Sequence, residues 1–103
     1  MDHLILKQNN KYMAIQDQFN EGIKIRPHRL QTVNKAIVIK NNQITQVYHL
    51  DTTQLIYNAI TGRIDINSII AKQDFSSDLI NKFIKYKTSI PASIKNPYSL
   101  LSL

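Results

Sequence analysis

KAIVIKNNQITQVYHLDTTQLIYNAITG, residues 35–62, is the stretch of this sequence that decides the predicted fold. It begins with two runs of residues that favour β-strands, 35–40 and 43–50, separated by Asn41 and Asn42. Asparagine tolerates the positive φ angles that a two-residue turn requires. We therefore predict a β-hairpin whose turn is this asparagine pair.

The two predicted strands differ in the pattern of their side chains. Residues 36–39, Ala-Ile-Val-Ile, are apolar on both faces, which is typical of a central strand covered on both sides. Residues 43–50 alternate between apolar and polar side chains, so this strand can lie nearer an edge of the sheet. The predicted register pairs Lys40 with Gln43, Ile39 with Ile44, Val38 with Thr45, Ile37 with Gln46 and Ala36 with Val47.

A capped helix is predicted directly after this hairpin. Asp51 can accept hydrogen bonds from the amides of a first helical turn, and Gln54 can reach back from three residues later. Gly62 can adopt the left-handed conformation that ends a helix. The apolar stripe that would pack on the sheet consists of Leu55, Ile56, Ala59 and Ile60.

The N-terminal part of the chain predicts two further β elements. Runs 3–8 and 11–16 flank an Asn-Asn pair at 9–10, which indicates a first hairpin with the same kind of turn. In residues 23–25, two isoleucines alternate with lysine, which favours a short strand. We expect that strand to end at Pro27, because proline cannot donate a hydrogen bond to a neighbouring strand.

Start signals for three more helices follow Gly62. Asp65 can cap a helix over residues 65–73, and Ser76 or Ser77 can cap a second helix over 77–87. Asn96 followed by Pro97 predicts a short tail helix, since proline is favoured at the first helical position.

The predicted fold class is therefore α+β. We expect an N-terminal antiparallel sheet of four to five short strands with two Asn-Asn hairpins, followed by three helices and a short C-terminal helix. At 103 residues the chain suits a single domain, 1–103, mainly β over 1–50 and mainly α over 51–103. The predicted core residues are Leu4, Leu6, Met13, Ile15, Ile37, Val38, Ile39, Ile44, Leu55, Ile56, Ala59, Ile60, Ile69, Ile70, Leu79, Ile80, Phe83 and Ile84.

Composition limits the classes of function. The absence of cysteine excludes a disulfide framework, a thiolate metal site and a thiol nucleophile. No apolar run approaches the roughly 20 residues of a membrane-spanning helix, and the N-terminus lacks the layout of a signal peptide, so we expect a cytoplasmic protein. The net charge of +6 predicts an acidic partner: nucleic acid, a phospholipid surface or an acidic protein. We expect no membrane association and no cofactor or metal.

The basic residues are separated from the acidic ones along the chain. There is no acidic residue between positions 22 and 50, and none from 79 to the C-terminus. Two acid-free blocks can form one positive surface that neutralises phosphates, although lysines that only keep the protein soluble are the alternative. The predicted phosphate contacts are Arg26, Arg29, Lys35, Lys40, Lys82, Lys85 and Lys87, and Asn81 is predicted to contact a base.

Residues 65–87 resemble the helix-turn-helix family, with a break at Asp74-Phe75-Ser76 between two predicted helices. The resemblance implies that helix 77–87 presents Asn81, Lys82 and Lys85 to DNA. The turn is about one residue short and lacks the usual glycine, so two ordinary amphipathic helices are the alternative.

We predict a small non-enzymatic protein that binds nucleic acid, DNA rather than RNA, or has a regulatory accessory role, of the kind that a phage, plasmid or low-G+C bacterium encodes. Ribonuclease-like chemistry by His28 and His49 is a minor alternative. The competing class is a protein-interaction module, an adaptor or inhibitor that binds an acidic protein or forms a homodimer through the apolar tail 98–103.

Overall fold

A mixed β-sheet forms the centre of the structure, a computed structural model that describes residues 1–9 and 12–102. Within these residues the strands are β1 (His3–Lys7), β2 (Lys35–Lys40), β3 (Gln43–Leu50), β4 (Tyr57–Asn58), β5 (Arg63–Ile64), β6 (Ile70–Gln73) and β7 (Ala92–Lys95). Five of them form the central sheet in the order β6-β3-β2-β1-β7, and β4 and β5 form a separate two-stranded sheet. The helical elements in the described part of the chain are α1 (Ile15–Gln18) and three 3-10 helices at Pro27–Leu30, Ile66–Ser68 and Pro97–Leu100.

The α+β prediction with three helices and a C-terminal helix is therefore wrong. The described chain is rich in sheet, and its α-helical content is the single turn α1. None of the helices among the described residues has the length and apolar character needed to cross a membrane.

Both faces of the sheet are buried, which confirms that β2 is a central strand. Two core clusters lie on opposite faces, since neighbouring residues of a strand point to opposite sides. The first core cluster contains Leu4, Leu6, Ala36, Val38, Tyr48, Leu50 and Ala92 from the sheet, covered by Ile15, Phe19, Ile23, Ile25, Leu30, Val33, Ile64, Ile66 and Ile69. The second core cluster contains Ile5, Ile37, Ile39, Ile44 and Val47, covered by Leu79 and Ile84.

The central hairpin is confirmed, and its turn has the predicted geometry. Asn41 and Asn42 adopt φ angles of 51° and 62°. Lys40 pairs with Gln43 and Ile39 with Ile44, as the sequence predicted.

Beyond Ile39 the predicted register is wrong by one residue. Val38 lies opposite Gln46, and the same shift places Ile37 opposite Val47 and Ala36 opposite Tyr48. The irregularity accommodates Thr45, whose hydroxyl donates to the carbonyl oxygen of Val38 at 3.3 Å. An extra residue lets Ile44 and Val47, three positions apart, lie on the same face in the second core cluster.

The first predicted hairpin is wrong. β1 pairs with β2 in parallel and with β7 antiparallel, so both of its edges are occupied by residues distant in sequence. Ile15 is buried at the start of α1, whereas Met13, two residues earlier, is exposed. Asn10 and Lys11 of the predicted turn and second strand lie outside the described residues.

The predicted helix over residues 51–62 is also wrong. The Asp51 carboxylate does accept a hydrogen bond from the Thr53 amide at 3.0 Å, but this closes a local turn and not a helix. The chain then forms β4 and β5, and Gly62 has the expected positive φ of +71° within their connection. The expected stripe is not buried, since Ile60 is 96% exposed and Ile56 is 59% exposed.

The helices predicted over 65–73 and 77–87 are wrong, and the helix-turn-helix resemblance fails with them. Asp65 does cap a helix by accepting from the Asn67 amide, but it is the 3-10 helix Ile66–Ser68, and β6 follows. Residues 77–87 lie across the end of the hairpin, where the Ile44 amide donates to the Lys82 carbonyl oxygen at 2.8 Å.

The tail helix predicted over residues 98–103 is wrong, and a single 3-10 turn, Pro97–Leu100, stands there, although its predicted cap is present. The Asn96 side chain accepts a hydrogen bond from the Tyr98 amide at 3.1 Å, and Pro97 opens the turn as predicted. Leu100 and Leu101 pack against the second core cluster. The apolar tail therefore covers the chain's own core.

The predicted core is correct where it falls on the sheet and less so elsewhere. Ten predicted core residues are buried: Leu4, Leu6, Ile15, Ile37, Val38, Ile39, Ile44, Ile69, Leu79 and Ile84. Leu55, Ile70 and Ile80 are half-buried, whereas Met13, Ile56, Ala59, Ile60 and Phe83 are exposed.

Candidate functional site

A cleft lined by basic side chains lies over the first core cluster, beside the small β4–β5 sheet. Its volume is about 510 Å³. None of the described residues that line it is acidic. The lining residues are Lys24, Ile25, Arg26, His28, Arg29, Tyr57 and Gly62.

The 3-10 helix Pro27–Leu30 brings the two arginines of the cleft together. Arg26 precedes the helix in an extended conformation, and the Arg29 amide donates to the Arg26 carbonyl oxygen at 3.0 Å. In a 3-10 helix, residues three apart lie one turn apart on the same side. Ile25 and Leu30 anchor the two ends of the turn in the first core cluster.

The helical turn decides on which side of the chain the charged residues of segment 25–30 lie. An extended chain would project Arg26 and His28 to one face and Arg29 to the other. In the structure all three line the same cleft. Pro27 accounts for the difference, because its fixed φ angle suits the first position of a helix as well as the end of a strand.

The segment that carries Lys24 is tied to the small sheet that carries Tyr57. The Ile23 amide donates to the Ile64 carbonyl oxygen at 2.9 Å, and the Ile64 amide donates back to Ile23 at 2.9 Å. The short strand predicted at 23–25 is thus reduced to a single bridge between these residues. Ile64 pairs in turn with Tyr57, which places that ring beside the basic residues.

The positive charge of the cleft is not neutralised within the described part of the chain. Lys24, Arg26, His28 and Arg29 are all exposed. The ion pairs found among the described residues are those of Asp74, with Lys35 and with His49. Three permanent positive charges therefore face solvent around one concavity, an arrangement that attracts phosphate or carboxylate groups.

Lys35, a predicted phosphate contact, has a structural partner instead. Its ammonium nitrogen lies 3.0 Å from a carboxylate oxygen of Asp74, a residue that is 8% exposed. Hydrogen bonds from Lys35 and then from Ser76 lower the pKa of Asp74 to about 2. The charge of Lys35 is thus matched within the chain, beside the start of β2.

The remaining predicted contacts form a second basic group around the end of the central hairpin. Lys40 pairs with Gln43 next to the turn, and the Gln43 side chain donates to the Asn81 carbonyl oxygen at 3.2 Å. The other members are Lys82, Lys85 and Lys87, which flank the buried Ile84.

The sheet separates the second basic group from the cleft. Ile84 belongs to the second core cluster, whereas Ile25 and Leu30 of the cleft belong to the first. The structure thus brings Arg26 and Arg29 together and places Asn81, Lys82, Lys85 and Lys87 in the layer on the other face.

Three charged or aromatic residues of the cleft, Lys24, His28 and Tyr57, were not among the predicted phosphate contacts. Lys24 and His28 stand in the acid-free block 22–50, so charge alone could have included them. Tyr57 carried no such signal, because residues 51–62 were predicted to be a helix. Its place in the cleft follows from pairing with β5, a tertiary contact.

The structure does not join the histidines into one site. His28 lines the cleft, whereas His49 lies 3.9 Å from Asp74. In residues 1–9 and 12–102, no group of three His, Asp or Glu side chains could hold a metal ion. Comparison of the chain with protein-family profiles, curated protein sequences and solved structures gave no match.

Proposed function

We propose that this chain is a non-enzymatic nucleic-acid-binding protein that holds phosphate groups in the cleft lined by Lys24, Arg26, His28 and Arg29. The proposal rests on the concentration of exposed cations in this cleft, where none of the lining residues that the structure describes is acidic. Nucleic acid carries one negative charge on each phosphate at a short, regular spacing, so several phosphates can contact several cations of the cleft at the same time.

The two arginines give the cleft geometric selectivity for phosphate. A guanidinium group presents a planar fork of donors that matches two oxygens of a phosphate. Arg26 and Arg29 emerge on one side of a turn that is anchored at both ends by buried residues. Binding therefore requires little further ordering of the backbone of this turn, which lowers the free-energy cost of binding.

Salt dependence supplies the quantitative test. With about three phosphates neutralised, the slope of log K against log salt is about −2 on single strands and about −2.7 on duplex, which predicts a roughly 20- to 40-fold loss of affinity between about 50 and 200 mM salt. Fluorescence anisotropy of labelled oligonucleotides measures both the affinity and this slope.

A charge-matched pair of variants tests the place of binding. Replacing Arg26 and Arg29 together by glutamine removes two cations from the cleft and should bring the slope to between about −0.7 and −0.9. Replacing Lys82 and Lys85 by glutamine makes the same change in net charge on the other side of the sheet, and should leave most of the affinity intact. The proposal is wrong if the wild-type chain binds no nucleic acid at about 50 mM salt, or if the lysine variant loses as much affinity as the arginine variant.

A further inference from the structure

An exposed aromatic ring borders the phosphate-binding cleft. Tyr57 is 42% exposed and lines the same concavity as Lys24, Arg26 and Arg29. An aromatic side chain beside uncompensated cations is the combination that proteins use to hold a base and its backbone together.

The tyrosine is held by a short, well-bonded connection. Tyr57 pairs with Ile64, which is fully buried and bonded to Ile23 through two backbone hydrogen bonds. The turn of this small sheet is closed by the Gly62 amide, which donates to the Asn58 carbonyl oxygen at 2.8 Å. The backbone that carries Tyr57 is therefore fixed beside the cleft by strand pairing, while its exposed ring faces solvent.

Gly62 leaves space beside the tyrosine hydroxyl. A Cβ at this position would lie 4.0 Å from that oxygen, and the positive φ of +71° disfavours any side chain there. Gly62 therefore lines the cleft next to the Tyr57 hydroxyl without adding a side chain there.

We propose that the cleft selects single-stranded nucleic acid, DNA or RNA, by stacking an unpaired base on Tyr57 while the neighbouring phosphates contact Lys24, Arg26 and Arg29. This inference rests on the proposed function. In a duplex, each base face is covered by the adjacent base pair, so an aromatic ring inside a cleft has no face to meet. A base in a single strand can turn out of its stack and enter.

The test compares one sequence in three forms. A pyrimidine-rich single-stranded DNA of about 12 nucleotides, the RNA of the same sequence and the matching DNA duplex are titrated by fluorescence anisotropy, at low salt where phosphate contacts are strong. We expect either single strand, or both, to bind roughly 10-fold more tightly than the duplex, the effect of one stacked base. The difference between the DNA and RNA arms identifies the preferred sugar.

Variants of Tyr57 separate stacking from charge. Tyr57→Ala and Tyr57→Leu should each lose roughly 10-fold in single-strand affinity while keeping the duplex affinity and the salt slope. The Tyr57→Leu variant keeps an apolar side chain of similar bulk at this position, so its small sheet should stay folded. A loss of affinity in this variant is then due to the loss of the aromatic ring. Tyr57→Phe should retain binding. Phe75→Ala, which removes a ring that is 79% exposed away from the cleft, should have no effect.

A spectroscopic readout reports on stacking itself. A 2-aminopurine base in the single strand should lose fluorescence on binding to the wild type and to Tyr57→Phe, and keep it on binding to Tyr57→Leu. Equal affinity for duplex and single strand, with Tyr57→Ala unchanged, would overturn the stacking inference and leave phosphate binding in place. Absence of binding to all three forms would instead overturn the proposed function.

Discussion

Replacing Gly22 by alanine tests the contact that joins the basic cleft to the small sheet. Gly22 has a φ of +91°, and a Cβ there would lie 2.6 Å from the Ile64 carbonyl oxygen and 3.1 Å from the Cβ of Arg63. The same carbonyl oxygen accepts the hydrogen bond from the Ile23 amide at 2.9 Å. The nearest of these atoms belongs to the backbone, which cannot rotate away as a side chain can. The alanine variant must therefore displace the Ile64 peptide.

The expected loss of stability has two parts. Alanine in the left-handed region costs about 1 to 2 kcal/mol, less about 0.5 kcal/mol because the unfolded chain becomes stiffer. Displacing Ile64 also weakens its two backbone hydrogen bonds with Ile23, at about 1 kcal/mol each. We therefore expect Gly22→Ala to lower the free energy of unfolding by about 3 kcal/mol.

Gly62→Ala is the matched control for this prediction. Gly62 also has a positive φ, +71°, but a Cβ there would have its nearest neighbour, the Tyr57 hydroxyl oxygen, 4.0 Å away, which is an ordinary contact. Only the backbone part applies, so we expect a loss of about 1 kcal/mol. Urea unfolding followed by circular dichroism measures both values. Equal losses in the two variants would refute the close approach of residue 22 to Ile64.

Three further outcomes follow from the packing, the turn and the ion pair. Leu79→Ala should lower the free energy of unfolding by about 3 kcal/mol, because the side chain is buried in the second core cluster. Phe83→Ala should lower it by less than about 1 kcal/mol, because that ring is 54% exposed. Thermal unfolding measures both losses, and similar losses would favour the predicted helix, in which both side chains are buried. Asn42 has a φ of 62°, which alanine adopts at a cost and glycine adopts freely. In urea unfolding, Asn42→Ala should therefore lower stability by about 1 kcal/mol and Asn42→Gly should leave it unchanged, and equal stability of the two variants would contradict this turn geometry. Hydrogen bonds from Lys35 lower the pKa of Asp74 to about 2, so its stabilising effect is complete above its ordinary pKa of 3.8 and is lost as the pH falls through about 2. The stability difference between the wild type and Asp74→Asn, measured by urea unfolding across this range, should shrink on acidification; a difference that stays constant would contradict the assignment.

Local sequence predicted the structure well where local chemistry is sufficient. The turn at residues 41–42, the cap at Asn96 and the positive φ of Gly62 each depend on one or two side chains and their own backbone. The two-sided burial of β2 was also predictable, because four apolar residues in succession leave no face for solvent.

The predicted helices failed because their apolar spacing does not distinguish a helix from a set of short extended segments. The stripes in residues 51–87 are rich in isoleucine, whose branched Cβ favours strands over helices. In the structure the decisive contacts come from elsewhere in the chain. Ile64 pairs with Ile23, and the segment around Lys82 bonds to Ile44.

The candidate site was predictable in part for the same reason. Arg26 and Arg29 are three residues apart around a proline, so the sequence already placed two guanidinium groups close together. Their association with Lys24 and Tyr57 needed the bridge between residues 23 and 64. Lys35 was predicted to contact a phosphate. Its ion pair with Asp74, 39 residues later, could not be derived from the sequence around either residue.

The sequence by itself determined the central hairpin, the burial of β2 on both faces and the surplus of positive charge. These properties follow from neighbouring residues or from composition, which are the same in every fold the chain could adopt. The tertiary structure alone decided that β1 pairs with β2 and β7, that residues 51–87 do not form long helices, and that an aromatic ring meets the cations of the cleft. Each of these outcomes depends on partners far apart in the chain, whose contacts become favourable only when other elements have covered the same apolar surface.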